Sequence, residues 1–212
     1  MNIIFIGPPG VGKGTQSLLI SKKMKIPIIS SSEILKEKIN ALSSMQDVSK
    51  KINNGKLIDD NIIVKLIFSQ IKKIFFKTGF ILDGFPRTII QAKKLKKFRK
   101  IDIVFNLFAK KDLLINRLMG RRVHIPSGRI FNINSFSFGE KQLDPLTKEP
   151  LSIRKDDSEK IVKKRLKIYN SLTKPLIEFY RKESKYGICK LYEIDASKTI
   201  ERIQIELLNH LR

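Results

Sequence analysis

The chain has 212 residues, 42% of them hydrophobic, a single cysteine and a formal net charge of +23 at pH 7. That length holds one α/β domain with room for insertions. The lone Cys189 excludes an intramolecular disulfide and a zinc site built from several cysteines, no apolar run is long enough to span a membrane, and no signal peptide is visible before the first strand, so the expected compartment is the cytoplasm.

Ile3, Ile4, Phe5 and Ile6 predict a buried strand. Gly7-Pro8-Pro9-Gly10-Val11-Gly12-Lys13-Gly14-Thr15 follows and opens a helix over 12–24. Residues 26–30 read as a short second strand. Ser31 or Ser32 is the expected cap of the next helix, with Glu33 in its first turn and Ile34, Leu35, Ile39 and Leu42 as its apolar stripe. The polar segment 43–54 reads as a small helical excursion ended by Gly55. A helix over 60–76 is capped by Asp59 or Asp60 and is apolar at Ile62, Ile63, Leu66, Ile67 and Ile71.

Residues 80–83 form a buried strand ending in Asp83, and a helix carrying Gln91 follows. A strand over 103–107 and a helix over 113–119 come next. Residues 123–153 lose helical periodicity and read as turns and short strands. Asp156 or Asp157 is the expected start of a long helix with Ile161, Val162, Leu166 and Tyr169 on one face, which Pro175 should break or bend. A last strand over 191–194 and a helix capped by Ser197 close the chain. Strands alternating with helices predict an α/β fold, a parallel sheet with helices on both faces.

The loop between the first strand and first helix carries the clearest chemistry. Glycines let backbone N–H groups converge on one point, the helix N-terminus adds partial positive charge there, and Lys13 adds a full charge. The competing reading is a glycine-rich turn with no ligand. The residue after the lysine is Gly14, with the hydroxyl one place later at Thr15, so a metal on the phosphates needs another anchor. Asp83, at the end of an apolar strand, is the candidate, orienting waters on Mg²⁺; the alternative is an Asp that caps a helix.

Arginine is the second signal. Of 43 basic residues eleven are Arg; none precedes Arg87, and eight fall between 87 and 165. Arg forks onto phosphate oxygens through two parallel bonds, which Lys cannot do. The lysines are scattered, as at Lys93, Lys94, Lys96 and Lys97, with little aromatic interleaving, so the charge reads as solvated helix faces rather than a nucleic-acid site.

Together these motifs resemble the adenylate kinases, nucleoside monophosphate kinases of the P-loop class. Gly7 to Thr15 matches their phosphate loop. Asp83-Gly84-Phe85-Pro86-Arg87-Thr88 matches their acceptor-side motif in full, and Gly120-Arg121-Arg122 and Arg154-Lys155-Asp156-Asp157 resemble the ends of their lid. The resemblance implies a core of 1–30, 59–119 and 158–212, an AMP-binding insertion at 31–58 and a lid at 120–157. It implies that Lys13, Arg87, Arg121, Arg154 and Arg165 act on the phosphates. ATP would meet Gly10, Val11, Gly12, Lys13, Gly14, Thr15, Arg117, Arg121, Phe131 and Lys198. AMP would meet Ser31, Lys36, Ile58, Gly84, Arg87, Gln91, Arg154 and Arg165. It also implies a cis Phe85-Pro86 bond.

The sequence departs from the family at Ser31 (for Thr), Lys36 (for Arg), Phe131-Asn132 (for Tyr-His) and Asp195-Ala196 (for Asp-Gly). His124, Ser127, Asp144 and Thr147 fall where zinc-free lids use a hydrogen-bonded polar cluster, so no zinc site is expected. The expected reaction is ATP + AMP ⇌ 2 ADP with Mg²⁺, by a monomer without a general base. The rival readings are a kinase for UMP or CMP, and a basic nucleic-acid-binding protein with a vestigial nucleotide site.

Overall fold

The computed structural model describes residues 1–41, 46–73, 79–134 and 142–211. In chain order these form β1 (Asn2–Ile6), α1 (Lys13–Met24), β2 (Ile28–Ser30), α2 (Ser31–Ala41), α3 (Gln46–Asn53), α4 (Asp60–Lys73), β3 (Phe80–Asp83) and α5 (Ile89–Phe98). There follow β4 (Ile103–Phe108), α6 (Lys111–Met119), β5 (Arg121–Val123), β6 (Ile130–Asn132), α7 (Glu159–Ile168), α8 (Pro175–Lys185), β7 (Lys190–Asp195) and α9 (Ile200–Asn209). Leu42, residues 43–45 of the expected excursion and residues 74–76 of the expected helix lie outside the described residues.

Five strands pair in parallel in the order β2-β3-β1-β4-β7. Because side chains alternate along a strand, Ile3 and Phe5 of β1 enter one core layer, with Ile20 of α1, Leu114 of α6, Val162 of α7 and Leu207 of α9. Ile4 and Ile6 enter the other, with Ile67 of α4, Leu95 of α5 and Leu176 of α8. Both faces are therefore covered, which is why β1 and β4 read as near-continuous apolar runs. The register aligns Phe5 with Asp83, and Asp83 with Ser30. The ends of β1, β2 and β3 thus meet at one edge of the sheet, the place where such folds bind ligands.

Several local expectations are settled or corrected. Ser30, not Ser31 or Ser32, takes the capping place at α2: its hydroxyl accepts the N–H of Glu33 at 3.4 Å, because β2 runs directly into the helix. Of Asp59 and Asp60, Asp59 is the cap of α4, accepting the N–H of Asn61 at 2.9 Å. Thr199, not Ser197, caps α9; the N–H of Ser197 is already held by Asp195 in the turn before it. Asp156 and Asp157 sit in a 3-10 turn, Lys155–Asp157, and α7 begins beyond them.

The long helix is broken at Pro175, as expected: α7 stops at Ile168 and α8 starts at Pro175. A π-helical turn, Tyr169–Thr173, widens the backbone just before it, and the N–H of Lys174 reaches the carbonyl of Tyr169 at 2.8 Å. That wider turn spares Pro175 the clash a regular α-turn would impose, and Pro175 becomes the first residue of α8. The Phe85-Pro86 bond is cis, as expected. Between α6 and α7, β5 and β6 form an antiparallel pair; isolated bridges tie Val123 of β5 to Ser152, and Leu143 to Pro150.

Candidate active site

The site begins where β1 stops. Gly12, at φ 100°, turns the chain into α1 in a backbone conformation that side chains with a Cβ rarely adopt. Val11 anchors the loop in the core, while Gly14 and Thr15 lie exposed in the first helical turn. Gly10 lies against α6, where an added Cβ would come 2.7 Å from Leu118. Lys13 curls back over the loop, its ammonium donating to the carbonyls of Gly7 at 2.7 Å and Pro8 at 2.8 Å. Desolvation pulls the Lys13 pKa down to about 7; Asp83 opposes this, and Arg87, Arg165 and Arg121 add to it.

Asp83 ends β3 beside this loop, its carboxylate 3.4 Å from where a Cβ on Gly14 would stand. Burial pushes its pKa up, with Lys13 and Arg87 pulling the other way. Among the described residues its carboxylate takes no hydrogen bond and belongs to no cluster of three or more metal-ligating side chains. A single carboxylate facing a phosphate loop is the donor set that suits Mg²⁺, which keeps most of its waters and takes the rest of its ligands from phosphates.

One cleft opens from Lys13. From α2 it is lined by Ser31 and Lys36, and from the approach to α4 by Ile58. Gly84, Arg87 and Gln91 line it after β3, and Arg154 and Arg165 from the chain around α7. All eight residues expected at the AMP side therefore share one cleft with Lys13. Gly84, at φ +75°, packs so closely that a Cβ would lie 2.5 Å from the Ser31 hydroxyl and 2.9 Å from Nη2 of Arg87. Its carbonyl accepts from that hydroxyl at 2.9 Å and from Nε of Arg87 at 2.8 Å. Thr173, in the π-turn, donates to the Arg87 carbonyl at 2.8 Å.

The arginines across the cleft are held by two acids. Arg154 forks onto Asp156 at 2.9 and 3.0 Å. Arg121 forks onto Asp157, and Arg165 reaches both Asp157 and Asp156. Burial pushes the Asp156 carboxyl up, but Arg165, Arg154 and Arg121 outweigh it and hold its pKa below the usual Asp value. Arg121 does not line the cleft itself; it pairs with Asp157.

The remaining residues expected around ATP lie apart from this cleft. Arg117 donates to the carbonyl of Ala196 at 2.8 Å, and desolvation lowers its pKa. Ala196 itself is fully buried in the core, so what faces Arg117 is its main chain. Phe131 lies in β6 opposite Arg122, and Asn132 ties that strand to α6 through the Arg117 carbonyl at 2.9 Å. The Lys198 ammonium pairs with Glu206 at 2.7 Å.

Between α6 and α7, His124, Ser127, Asp144 and Thr147 do come together. The His124 ring meets the Ser127 hydroxyl at 2.6 Å and that of Thr147 at 3.2 Å, and Asp144 accepts the N–H groups of Leu146 and Thr147. Arg129 and Glu149 complete the cluster, Arg129 by forking onto Asp144 and Glu149 by meeting His124 at 2.6 Å. Arg122 is likewise structural, bonded to Gln142 at 2.7 Å.

The family model described as adenylate kinase matches residues 5–185. The chain belongs to the adenylate kinase family. It is 40% identical over 212 residues to the adenylate kinase of Blochmanniella pennsylvanica (strain BPEN), covering 99% of this chain and 98% of that one. It is 43% identical over 212 residues to the adenylate kinase of Buchnera aphidicola subsp. Cinara cedri (strain Cc), covering 100% and 97%. Against the adenylate kinase of Photorhabdus laumondii subsp. laumondii it is 39% identical over 209 residues, covering 98% of each.

Sequence reasoning missed the work of Asp156, Asp157, Asp60 and Thr173. Two adjacent acids directly after Arg154-Lys155, in a chain with 20 acids against 43 bases, were a usable signal for the first pair. Thr173 had none, since its contact depends on a π-turn no periodicity reveals.

Proposed function

We propose that this adenylate kinase transfers a phosphoryl group reversibly from ATP to AMP, giving two ADP, in the cleft between the phosphate loop and Arg87. The observation that carries the reading is the convergence of Lys13, Arg87, Arg154 and Arg165 on one cleft. Two nucleotides brought end to end would repel through their phosphates; several fixed cations offset that repulsion and stabilise the charge of the transferring group.

In this reading Lys13 and the N-terminus of α1, with Gly10 to Thr15, hold the donor phosphates. Arg87 and Lys36 hold the acceptor phosphate, while Arg121, Arg154 and Arg165 act on the group in transit. Ser31, Ile58, Gly84 and Gln91 seat the acceptor base, and Arg117, Phe131 and Lys198 serve the donor base. The acceptor phosphate oxygen is largely ionised at neutral pH, its second pKa being about 6, so no general base is needed. Asp83 would hold Mg²⁺ through waters; the ion supplies neutralisation of phosphate charge. We read 31–58 as the acceptor-binding insertion and 120–157 as a lid whose closure excludes water, since water in the cleft would hydrolyse ATP.

The test is ADP formation from ATP with AMP, UMP, CMP or GMP as acceptor. AMP should be preferred strongly. No ADP from AMP, or a preference for a pyrimidine, would overturn the reading.

A further inference from the structure

Asp60 does work that the phosphoryl-transfer chemistry does not need. It is the first residue of α4, but Asp59 provides the cap. The Asp60 carboxylate instead accepts from the Thr88 hydroxyl, at 3.0 Å to each oxygen, and from Nε2 of Gln91 at 2.7 Å. Gln91 is buried, and its Oε1 accepts the main-chain N–H of Arg87 at 2.7 Å. Asp60 does not line the phosphate cleft and touches Gln91 from outside it, whereas Gln91 lines that cleft.

We propose that Asp60 is a specificity-determining residue: by fixing which way the Gln91 carboxamide faces, it makes the acceptor site accept a 6-aminopurine and refuse a 6-oxopurine. The inference rests on the reading above that Gln91 meets the acceptor base.

The argument is one of donors and acceptors. A free glutamine amide reads either kind of purine, because a half-turn of the amide exchanges its oxygen and nitrogen. The 6-amino edge of adenine offers a donor at the exocyclic nitrogen and an acceptor at N1. The 6-oxo edge of hypoxanthine offers the reverse, an acceptor at the oxygen and a donor at N1. In this protein the half-turn is blocked at both ends. The Arg87 main-chain N–H can only donate, so it requires Oε1. An ionised Asp60 can only accept, so it requires Nε2. A turned amide would set donor against donor and acceptor against acceptor in a buried place, where unpaired polar groups are most costly. Each Gln91 atom still has one bond to give, an oxygen lone pair and one N–H, which is the pair a 6-aminopurine edge complements. Thr88 secures the arrangement: its hydroxyl donates to Asp60 and accepts the N–H of Gln91 at 3.2 Å, so the acid stays opposite the amide it orients.

The experiment compares AMP with inosine monophosphate, which differs at the 6-position and N1 alone, in the full-length enzyme and in Asp60→Asn. An asparagine at 60 keeps the size but can offer its own N–H, which releases one of the two constraints. The ratio of kcat/KM for AMP over inosine monophosphate should narrow by about tenfold, the worth of one good base-edge pairing. KM for ATP should not follow it. If Asp60 merely ties α4 to α5, both acceptors will weaken together and the ratio will stay fixed, which would overturn the proposal. Gln91→Ala separates the two levels of the argument. A rise in KM for AMP there, beside an unchanged ratio in Asp60→Asn, sinks the orienting role alone. An unchanged KM for AMP in Gln91→Ala sinks the acceptor-base reading and this inference with it. Should Asp60→Asn not fold, the Gln91 side-chain amide protons of the wild-type enzyme decide by NMR. Slow hydrogen exchange supports a fixed amide, and free exchange overturns it.

Discussion

The guanidinium of Arg121 forks onto the carboxylate of Asp157, Nε to Oδ2 at 2.6 Å and Nη2 to Oδ1 at 2.5 Å. The same carboxylate holds Nη1 of Arg165 at 2.9 Å and has no exposed side-chain surface. One buried acid thus keeps two cations side by side that would otherwise repel. Each guanidinium still has N–H groups left over for phosphate oxygens, since Arg carries five donors.

Asp157→Ala should therefore harm both stability and catalysis. Removing one partner of a buried ion pair leaves uncompensated charge, a loss on the order of 3 kcal/mol. Urea denaturation should show a lower midpoint with an unchanged slope. In the fraction that folds, kcat should fall by about tenfold or more, because Arg121 and Arg165 lose their orientation. Wild-type kcat in this variant would mean that the acid only supports the fold.

Lys13 makes nucleotide binding depend on pH. Desolvation holds its pKa at about 7. Bound phosphates favour the ammonium, so the pKa of Lys13 rises on binding. The sign follows. Below about 7 the ammonium is already charged and binding takes up no proton; above it, and below the higher pKa of the complex, binding takes up one and ATP affinity falls as pH rises. Calorimetry in buffers of different ionisation enthalpy should detect this uptake at about pH 8 and little at about pH 6. Lys13→Ala should abolish the uptake and nearly all phosphoryl transfer. Near wild-type kcat in that variant would remove the phosphate loop from the mechanism.

The fold was legible where it depends on local pattern. Apolar runs at Ile3 to Ile6 and Phe80 to Leu82, and the glycines around Lys13, are decided within a few residues, and the structure has a strand or a tight turn at each. What stayed hidden depends on contacts far apart in sequence. Thr173 meets Arg87 across 86 positions, and Asp60 meets Gln91 across 31. The caps expected at Ser31 or Ser32 and at Ser197 failed for a nearer reason: more than one hydroxyl stands within three residues of each helix start, and the turn geometry selects Ser30 and Thr199.

Thr173→Val tests one of those distant contacts. The Thr173 hydroxyl fixes the Arg87 carbonyl at 2.8 Å, and so steadies the main chain that carries the guanidinium. The near-isosteric valine keeps the packing but leaves that carbonyl without this donor, a loss of about 1 kcal/mol. KM for AMP should rise several-fold while KM for ATP holds. Equal changes in both would assign the bond to the fold rather than to the acceptor site.

Lys36 offers the sharpest test of the acceptor side. It is exposed on α2, yet it lines the same cleft as Arg87. Sequence resemblance places an arginine there in the family. An arginine would grip a phosphate through two parallel charge-assisted bonds, where lysine makes a single adaptable contact. The difference is on the order of 1 kcal/mol, within the range of a hydrogen bond to a charged group. Lys36→Arg should lower KM for AMP several-fold and leave KM for ATP alone, because the two nucleotides occupy separate ends of the site. Lys36→Ala should raise KM for AMP in the same assay. Were Lys36 no more than a solvated helix residue, neither change would move AMP kinetics, and that pair of flat results would remove it from the acceptor site.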